Sequence, residues 1–180
     1  MRDFISYSQA GQDVFVYEKL VKPTNNLSGT FLDIGCSHPF AANNTVALEK
    51  LGWRGLLIDK NPEMVELCRE NRTSPVFEGD ATKIDWLALC GKYELGRGID
   101  YLSLDIDDQL GEESKTLLVL ENLVSAGFQF CVITCEHNFY LLGDGVRTAI
   151  REFLQKNFYD LSVADVSDDN LVFEDWWTHQ

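Results

Sequence analysis

The chain has 180 residues, of which 45% are hydrophobic and 24% charged, a composition typical of one globular domain with a substantial core. Its formal net charge of −14 disfavours nucleic acid and anionic membrane surfaces as partners, because both would repel it. No apolar run is long enough for a membrane span, and Met1-Arg2-Asp3 is not typical of a signal peptide.

The cysteine and histidine patterns indicate an ordinary reduced interior. None of the five cysteines forms a CxxC pair, and the apolar segments around them predict packed thiols in a cytoplasmic protein. These are Cys36, Cys68, Cys90, Cys131 and Cys135. The three histidines show no HxxxH spacing, which argues against a zinc site of the standard type.

The chain begins with a segment, residues 1–28, that predicts one helix ending before Pro23. Ser8 or a neighbouring polar residue is the candidate N-terminal cap. The apolar stripe of this helix is Val14, Phe15, Tyr17, Leu20 and Val21. A polar connector over residues 25–29 then leads to the first strand.

The stretch TFLDIGCSHPF contains the first predicted strand and the turn that follows it. Phe31, Leu32 and Ile34 form an apolar run that is interrupted by Asp33 and ended by Gly35, which predicts a short buried parallel strand. A helical pattern starts near residue 44. A strand, a glycine turn and a helix open a nucleotide-binding type of α/β unit, whose ligand lies at the carboxyl end of the strand. Glycine allows the backbone to approach that ligand closely.

Strands and helices then alternate to the end of the chain. The further predicted strands are 55–58, 76–77, 99–106, 128–135, 161–166 and 171–173. The further predicted helices are 46–51, one from 62 onward, 83–91, 113–125 and 146–156. This order predicts one α/β domain over residues 1–180, with a doubly wound, mostly parallel, seven-stranded sheet and helices on both faces. The last connection, 167–170, is too short for a helical crossover and predicts an antiparallel last strand.

Each of the first five predicted strands ends in an acid. These acids are Asp33, Asp59, Asp80, Asp105 and Glu136. Because the carboxyl ends of parallel strands lie along one edge of a sheet, we expect the five carboxylates to line a single crevice. The alternative is that acids merely tolerate the solvated ends of strands.

Several motifs together resemble the FkbM-type methyltransferases, a branch of the class I S-adenosylmethionine-dependent enzymes. The motifs are SQAGQD, FLDIGCSHPFAANNTVALEKLGWRGLLIDKNP, GDAT, YLSLDIDD, ITCEH and FEDWW, and they extend over nearly the whole chain. The resemblance implies methyl transfer from S-adenosyl-L-methionine to a hydroxyl of a small-molecule or glycan acceptor. It also implies that residues 1–28 pack over the cofactor site.

The resemblance further implies a set of cofactor-binding positions. They are Gln9, Asp33, Gly35, Cys36, Asp59, Lys60, Asp80, Ala81 and Asp105. If the cofactor is S-adenosylmethionine, Asp59 can accept from the ribose hydroxyls, and Asp80 from the adenine amino group beside the small Ala81. The carboxylates of Asp33 and Asp105 would offset the positive charge of the sulfonium end.

The sequence departs from the family pattern in two turns. The turn after Gly35 contains Ser37 and Pro39 where methyltransferases carry further glycines, so the methionine end of the cofactor can be held differently. After the fourth strand the chain has Asp107-Asp108 instead of an acid followed by glycine, which adds a negative charge.

The acids and polar residues after the fourth and fifth strands form the candidate catalytic cluster. Asp105, Asp107 and Glu136 offer oxygen ligands for a divalent cation such as Mg²⁺, which would polarise an acceptor hydroxyl. Alternatively, Glu136 or His137 removes the acceptor proton as a general base, with Asp105 beside it. In a third reading, Glu136 and His137 only form hydrogen bonds to the substrate or to a loop.

The last strand carries adjacent Trp176 and Trp177, whose side chains should point to opposite faces. We expect one to pack in the core and the other to reach the surface, as an acceptor wall or a contact in a homo-oligomer. The second functional hypothesis is a catalytically silent nucleotide-binding or protein-interaction module. An NAD-type oxidoreductase is a weaker alternative, because the chain lacks GxGxxG.

Overall fold

The computed structural model describes residues 4–180, so the signal-peptide prediction and the first three positions of the 1–28 segment lie outside the described residues. The described chain contains a seven-stranded sheet with the strand order β3-β2-β1-β4-β5-β7-β6. The strands are β1 (Thr30–Ile34), β2 (Arg54–Asp59), β3 (Val76–Glu78), β4 (Gly98–Leu104), β5 (Gln129–Glu136), β6 (Tyr159–Asp168) and β7 (Leu171–His179). Strands β1 to β5 pair in parallel, and β7 runs antiparallel to β5 and to β6, which confirms the predicted fold.

Seven α-helices connect or flank the strands of the described chain. They are α1 (Gln12–Val16), α2 (Val46–Leu51), α3 (Pro62–Asn71), α4 (Trp86–Lys92), α5 (Lys115–Ser125), α6 (Phe139–Leu142) and α7 (Asp144–Lys156). The predicted helix 83–91 begins only at α4, because the Asp85 carboxylate caps it by accepting from the backbone N–H of Ala88. Within residues 4–180, none of the helices combines the length and the apolar composition needed to cross a membrane.

The N-terminal segment differs in detail from the predicted single helix. Helix α1 continues as a π-helix over Tyr17–Val21, and it starts after Gly11, whose φ is +92°. Ser8 does not cap the helix; its hydroxyl donates instead to the buried carboxylate of Asp13. Val14, predicted to face inward, is exposed, while Val16 is buried. Polar contacts within the segment therefore decide where its helix begins and which face is covered.

The closing hairpin explains the antiparallel last strand. Asp168 of β6 pairs with Leu171 of β7, so only Asp169 and Asn170 form the loop. Both loop residues have positive φ, +47° and +66°, as a type I′ turn requires. Aspartate and asparagine tolerate this conformation better than other side chains.

The two faces of the sheet are buried by different helices. Helices α4, α5 and α7 pack on one face, and α2, α3 and the N-terminal segment pack on the other. Trp177 is fully buried on the first face. Trp176 lies on the second face, where its ring is 4.9 Å from that of Phe15. The prediction that one of these tryptophans reaches the surface is therefore wrong, because the N-terminal segment covers it.

We expect the Trp177→Ala substitution to destabilise the protein by about 3–5 kcal/mol, because it removes a fully buried aromatic side chain and leaves a cavity. The measurement is urea-induced unfolding followed by circular dichroism. Leu171→Ala is the matched control in the same strand, where the side chain is half exposed, and it should cost less than about 1 kcal/mol. Equal losses for the two variants would contradict this account of the core.

Candidate functional site

A cavity of about 300 Å³ lies at the carboxyl ends of strands β1 to β4. Seven of the sequence-predicted site residues line it together: Gly35, Asp59, Lys60, Asp80, Ala81, Asp105 and Asp107. The parallel register explains this assembly, because it brings the turns after the four strands to one edge of the sheet.

Gly35 lets the turn after β1 pack directly against the backbone at the end of β4. Its φ is +84°, and a Cβ atom added to it would lie 1.6 Å from the carbonyl oxygen of Asp105. The backbone N–H groups of Gly35 and Cys36 both donate to the carbonyl of Ile58, at 2.8 and 3.1 Å. The turn is thus held between the ends of β2 and β4, and any side chain at this position would displace it.

Asp59 is held rigidly at the end of β2. One carboxylate oxygen accepts from the backbone N–H of Ser37 and the other from that of Asn61, both at 2.8 Å. Asn61 in turn caps α3 by accepting from the N–H of Glu63. Each carboxylate oxygen of Asp59 can still accept another hydrogen bond, because it has a second lone pair.

Asp80 also lines the cavity, but its carboxylate is engaged by its own neighbours. Lys83 donates to it at 2.6 Å and the Thr82 hydroxyl at 2.6 Å, and these contacts lower the pKa of Asp80 to about 2. Ala81, the next residue, is buried and leaves space above the strand end.

Asp33 and Cys36 are buried behind the cavity and do not line it. The Asp33 carboxylate accepts from the Thr45 hydroxyl, which also accepts from the guanidinium of Arg72 at 3.0 Å. Burial raises the pKa of Asp33 to about 6, although the Thr45 hydrogen bond and Arg72 oppose the shift. The Cys36 Sγ atom lies 3.9 Å from the Sγ of Cys68 on α3. These side chains therefore support the first turn from below.

Gln9 lies away from the cavity as well, and its side-chain amide donates to Asp168 in the closing hairpin at 2.7 Å. No residue between 4 and 28 lines the cavity. The segment instead packs beside the site, where Phe15 contacts Trp176 and the Gln12 side chain forms a hydrogen bond with Glu174.

Asp105 and Glu136 form a carboxyl pair at one end of the cavity, where their side chains are in hydrogen-bond contact. Glu136 also forms a hydrogen bond with Asn138. Asp105 keeps access to solvent through the cavity, but the protein packed around both carboxyls raises the pKa of each, and Asp105 raises the pKa of Glu136 further. The pair therefore retains a shared proton at neutral pH.

The predicted divalent-cation ligands do not assemble. Asp107 has an 85% exposed side chain that pairs with Lys60 at 3.5 Å, and it does not converge with Asp105 and Glu136. The one converging group of metal-type ligands within residues 4–180 is His137, Asp165 and Asp175. Two arginine guanidinium groups, of Arg147 and Arg151, already bind its carboxylates at 2.6 to 2.8 Å.

His137 does not occupy the position of a general base. Its side chain is fully buried, its Nδ1 accepts from the backbone N–H of Phe139 at 3.3 Å, and its Nε2 lies 3.5 Å from Asp175. Because successive residues of a strand point to opposite faces, His137 follows Glu136 onto the other side of the sheet. A ring in this position does not reach an acceptor at the cavity, so Glu136 remains the candidate base.

Glu174 is a buried residue near the site that the sequence analysis did not single out. It is 2% exposed, and the indole N–H of Trp176 donates to its carboxylate. The period of two in EDWW does place Glu174 on the same face as Trp176. The sequence did not show that the N-terminal segment covers this face and thereby buries Glu174.

The chain was compared with family models, with curated proteins and with solved structures. No family model matches the chain, and no curated protein matches its sequence. Solved structures do match. A Podospora anserina methyltransferase with bound S-adenosylhomocysteine has a TM-score of 0.64 at 12% identity, over 96% of this chain and 80% of that one.

A Bacillus cereus O-methyltransferase in complex with S-adenosylhomocysteine has a TM-score of 0.62 at 15% identity, over 97% of this chain and 82% of that one. Magnesium protoporphyrin IX methyltransferase of Synechocystis, with bound S-adenosylmethionine, has a TM-score of 0.60 at 14% identity, over 94% and 78%. The fold is that of the class I methyltransferases. At such low identity the likeness concerns the fold alone.

We expect Asp175→Asn to destabilise the protein by about 3 kcal/mol at pH 7, because it removes the buried carboxylate charge that binds Arg151 and leaves that guanidinium only the more exposed Asp165. Although burial opposes ionisation, the Arg151 hydrogen bonds hold the pKa of Asp175 below its usual range. Its contribution is therefore complete above the unfolded-state value near ~4 and is lost as the pH falls through the lower folded-state value.

The measurement is urea-induced unfolding of the two proteins at pH 7 and at pH 3. The difference in unfolding free energy between wild type and Asp175→Asn should shrink at the lower pH. Asp160→Asn, at an exposed position, is the control. A difference of the same size at both pH values would contradict the ionic origin of the effect.

Proposed function

We propose that this chain is an S-adenosylmethionine-dependent methyltransferase that methylates a hydroxyl of a small molecule or sugar. The observation that carries the proposal is the cavity at the carboxyl ends of the parallel strands, which Gly35, Asp59 and Asp105 line and which Glu136 adjoins through its contact with Asp105. The class I methyltransferase fold supports it, because ligands of open α/β sheets bind at this edge.

The residues of the cavity fit the nucleoside half of the cofactor. The rigid Asp59 carboxylate retains the acceptor capacity that two ribose hydroxyls require. Ala81 leaves room for a planar base, and Asp80 lies beside it. Gly35 lines the cavity, and its lack of a Cβ atom lets the first turn pack against the Asp105 carbonyl.

The residues at the other end of the cavity fit a positively charged group. When bound, S-adenosylmethionine supplies an electrophilic methyl group on a sulfonium. Asp105 lines the cavity and Glu136 is in contact with it, so negative charge on this pair would favour a cation at short range. The cationic residues of the lining, Lys60 and Lys115, form long ion pairs of 3.5 Å with Asp107 and Glu112 and can exchange them for other parts of the ligand.

Glu136 is the residue that we assign to the acceptor proton. Its raised pKa, caused by burial and by Asp105, makes it a stronger base than an ordinary carboxylate once its proton is lost. The shared proton of the pair predicts that methyl transfer increases with pH until the pair is fully ionised. Asn138 holds the Glu136 side chain in place through its hydrogen bond.

The finer assignment to FkbM-type enzymes rests on the motif resemblance, and it favours oxygen of a sugar or other small acceptor. The formal net charge of −14 argues in the same direction, because it disfavours nucleic-acid acceptors. The acceptor would bind next to Glu136, between the turns after β4 and β5 and the N-terminal segment. A second copy of the chain can complete this region in a homo-oligomer.

We expect S-adenosylmethionine and S-adenosylhomocysteine to raise the melting temperature, and NAD to leave it unchanged. A ligand at about 100 times its Kd stabilises the folded state by about 2.7 kcal/mol. For a chain of this size the melting temperature should then rise by about 5 °C or more. The measurement is differential scanning fluorimetry, with Asp59→Asn as the variant that should respond less.

If neither compound stabilises the wild-type protein, the proposed function is refuted. If both bind but no acceptor pool is methylated, the chain is a catalytically silent module.

We expect Glu136→Gln to lower methyl transfer by about 100-fold or more, because the amide cannot accept the acceptor proton. The measurement uses labelled S-adenosylmethionine with cell extract as the acceptor pool. Glu121→Gln, an exposed position on α5, is the matched control and should keep full activity. Binding of S-adenosylhomocysteine to Glu136→Gln should persist, and wild-type turnover in this variant would rule out the assigned role.

A further inference from the structure

Three carboxyl groups lie side by side at the carboxyl ends of neighbouring strands. Asp105 directly follows β4, Glu136 ends β5, and Glu174 belongs to β7. Leu104 pairs with Cys135, so Asp105 comes next to Glu136, and Glu136 itself pairs with Glu174. In an antiparallel pair such as Glu136 and Glu174, the Cβ atoms of opposite residues lie about 4.5–5.5 Å apart on one face of the sheet. We call Asp105, Glu136 and Glu174 the carboxyl row.

Glu174 is the buried member of the carboxyl row, whereas Asp105 lines the cavity and Glu136, which does not line it, is partly exposed. Glu174 is 2% exposed and does not line the cavity. Its hydrogen-bond partners are the indole N–H of Trp176 and the side chain of Gln12, and both are uncharged. A carboxyl with these partners is kept in one position by the N-terminal segment and its own strand.

The ionisable groups around Glu174 are acids. Asp105 faces it from β4 and Glu136 from β5, while the phenol of Tyr101 on β4 is also nearby. Asp175, the next residue along β7, points to the other face and is bound by Arg151. Burial raises the pKa of Glu174 to about 8, and the Trp176 hydrogen bond limits that rise. None of the hydrogen bonds to Glu174 within residues 4–180 comes from a cation.

We propose that Glu174 is a positioning residue that acts through Glu136 and gives the site its preference for the positively charged methyl donor over the neutral product. This inference rests on the proposed function. S-adenosylmethionine carries a sulfonium where S-adenosylhomocysteine carries a neutral thioether, so the two would differ by one charge at the end of the ligand that the proposed function assigns to the carboxyl row. An ionised Glu174 adds negative charge to the row without contacting either compound, and so it binds the donor more tightly and favours release of the product.

The test compares the Kd values of the two compounds by isothermal titration calorimetry between pH 6 and pH 9. In the wild type, the ratio of the Kd of S-adenosylhomocysteine to that of S-adenosylmethionine should rise about fivefold in a step near pH 8, where Glu174 loses its proton. Glu174→Gln keeps the shape of the side chain and should abolish this step. Glu121→Gln, exposed on α5, should retain it.

A second variant should move the pH step instead of abolishing it. Trp176→Phe keeps an aromatic ring but removes the N–H that favours the charged form of Glu174, so the step should move to higher pH. If Glu174 had only a structural role, Glu174→Gln would weaken the binding of both compounds equally, and the pH step in the Kd ratio would remain. That result would overturn the inference.

If Glu174→Gln does not fold, the inference is tested with the wild type and Trp176→Phe. A ratio of the two Kd values that is constant between pH 7 and pH 9 in the wild type overturns it. Failure of both compounds to bind the wild type would refute the proposed function itself. Binding of both with a pH-independent ratio would overturn only the role of Glu174.

Discussion

The parallel register of β1 to β5 is the constraint on which the site depends. It brings the ends of five strands to one edge of the sheet, and each end delivers a carboxyl group to that edge or just behind it. Gly35 is the point where this arrangement is tightest, because the carbonyl of Asp105 occupies the space that a side chain would need. The turn after β1 therefore has one conformation, and the position of the cavity follows from it.

Several carboxylates at one edge of the sheet repel one another, and neighbouring groups compensate each carboxylate to a different extent. Asp80 is neutralised by Lys83, and Asp59 is held by two backbone N–H groups. Asp33 is buried beneath Thr45. Within the described chain, Asp105 and Glu136 have only their mutual contact and the Asn138 hydrogen bond as compensation, and burial raises the pKa of both. A positively charged ligand at this end of the cavity would therefore favour loss of the proton that the pair shares.

The second face of the sheet connects this end of the cavity to the N-terminal segment. Asp13 accepts hydrogen bonds from the hydroxyls of Ser6 and Ser8 and from the backbone of Tyr7, which fixes the segment before α1. The same segment then places Phe15 on Trp176 and Gln12 on Glu174. A segment that contributes nothing to the cavity lining therefore shapes the surroundings of Glu174, which pairs with Glu136.

The sequence by itself determined the order of the elements, the parallel sheet with its antiparallel last strand, and the acids at the strand ends. These features are local: short apolar runs define strands, and glycine, proline and capping residues end them. The period of two along a strand also fixes which residues share a face, as with Glu174 and Trp176.

Only the tertiary structure decided what covers each face and which acid meets which partner. It turned Asp33 away from the cavity, paired Asp107 with Lys60, and buried His137 beside Asp175. The contact between Phe15 and Trp176 joins opposite ends of the chain. Such contacts depend on how distant elements pack, and no local pattern of residues encodes that packing. The charge of each carboxyl group therefore depends on the neighbours that it acquires when the chain folds.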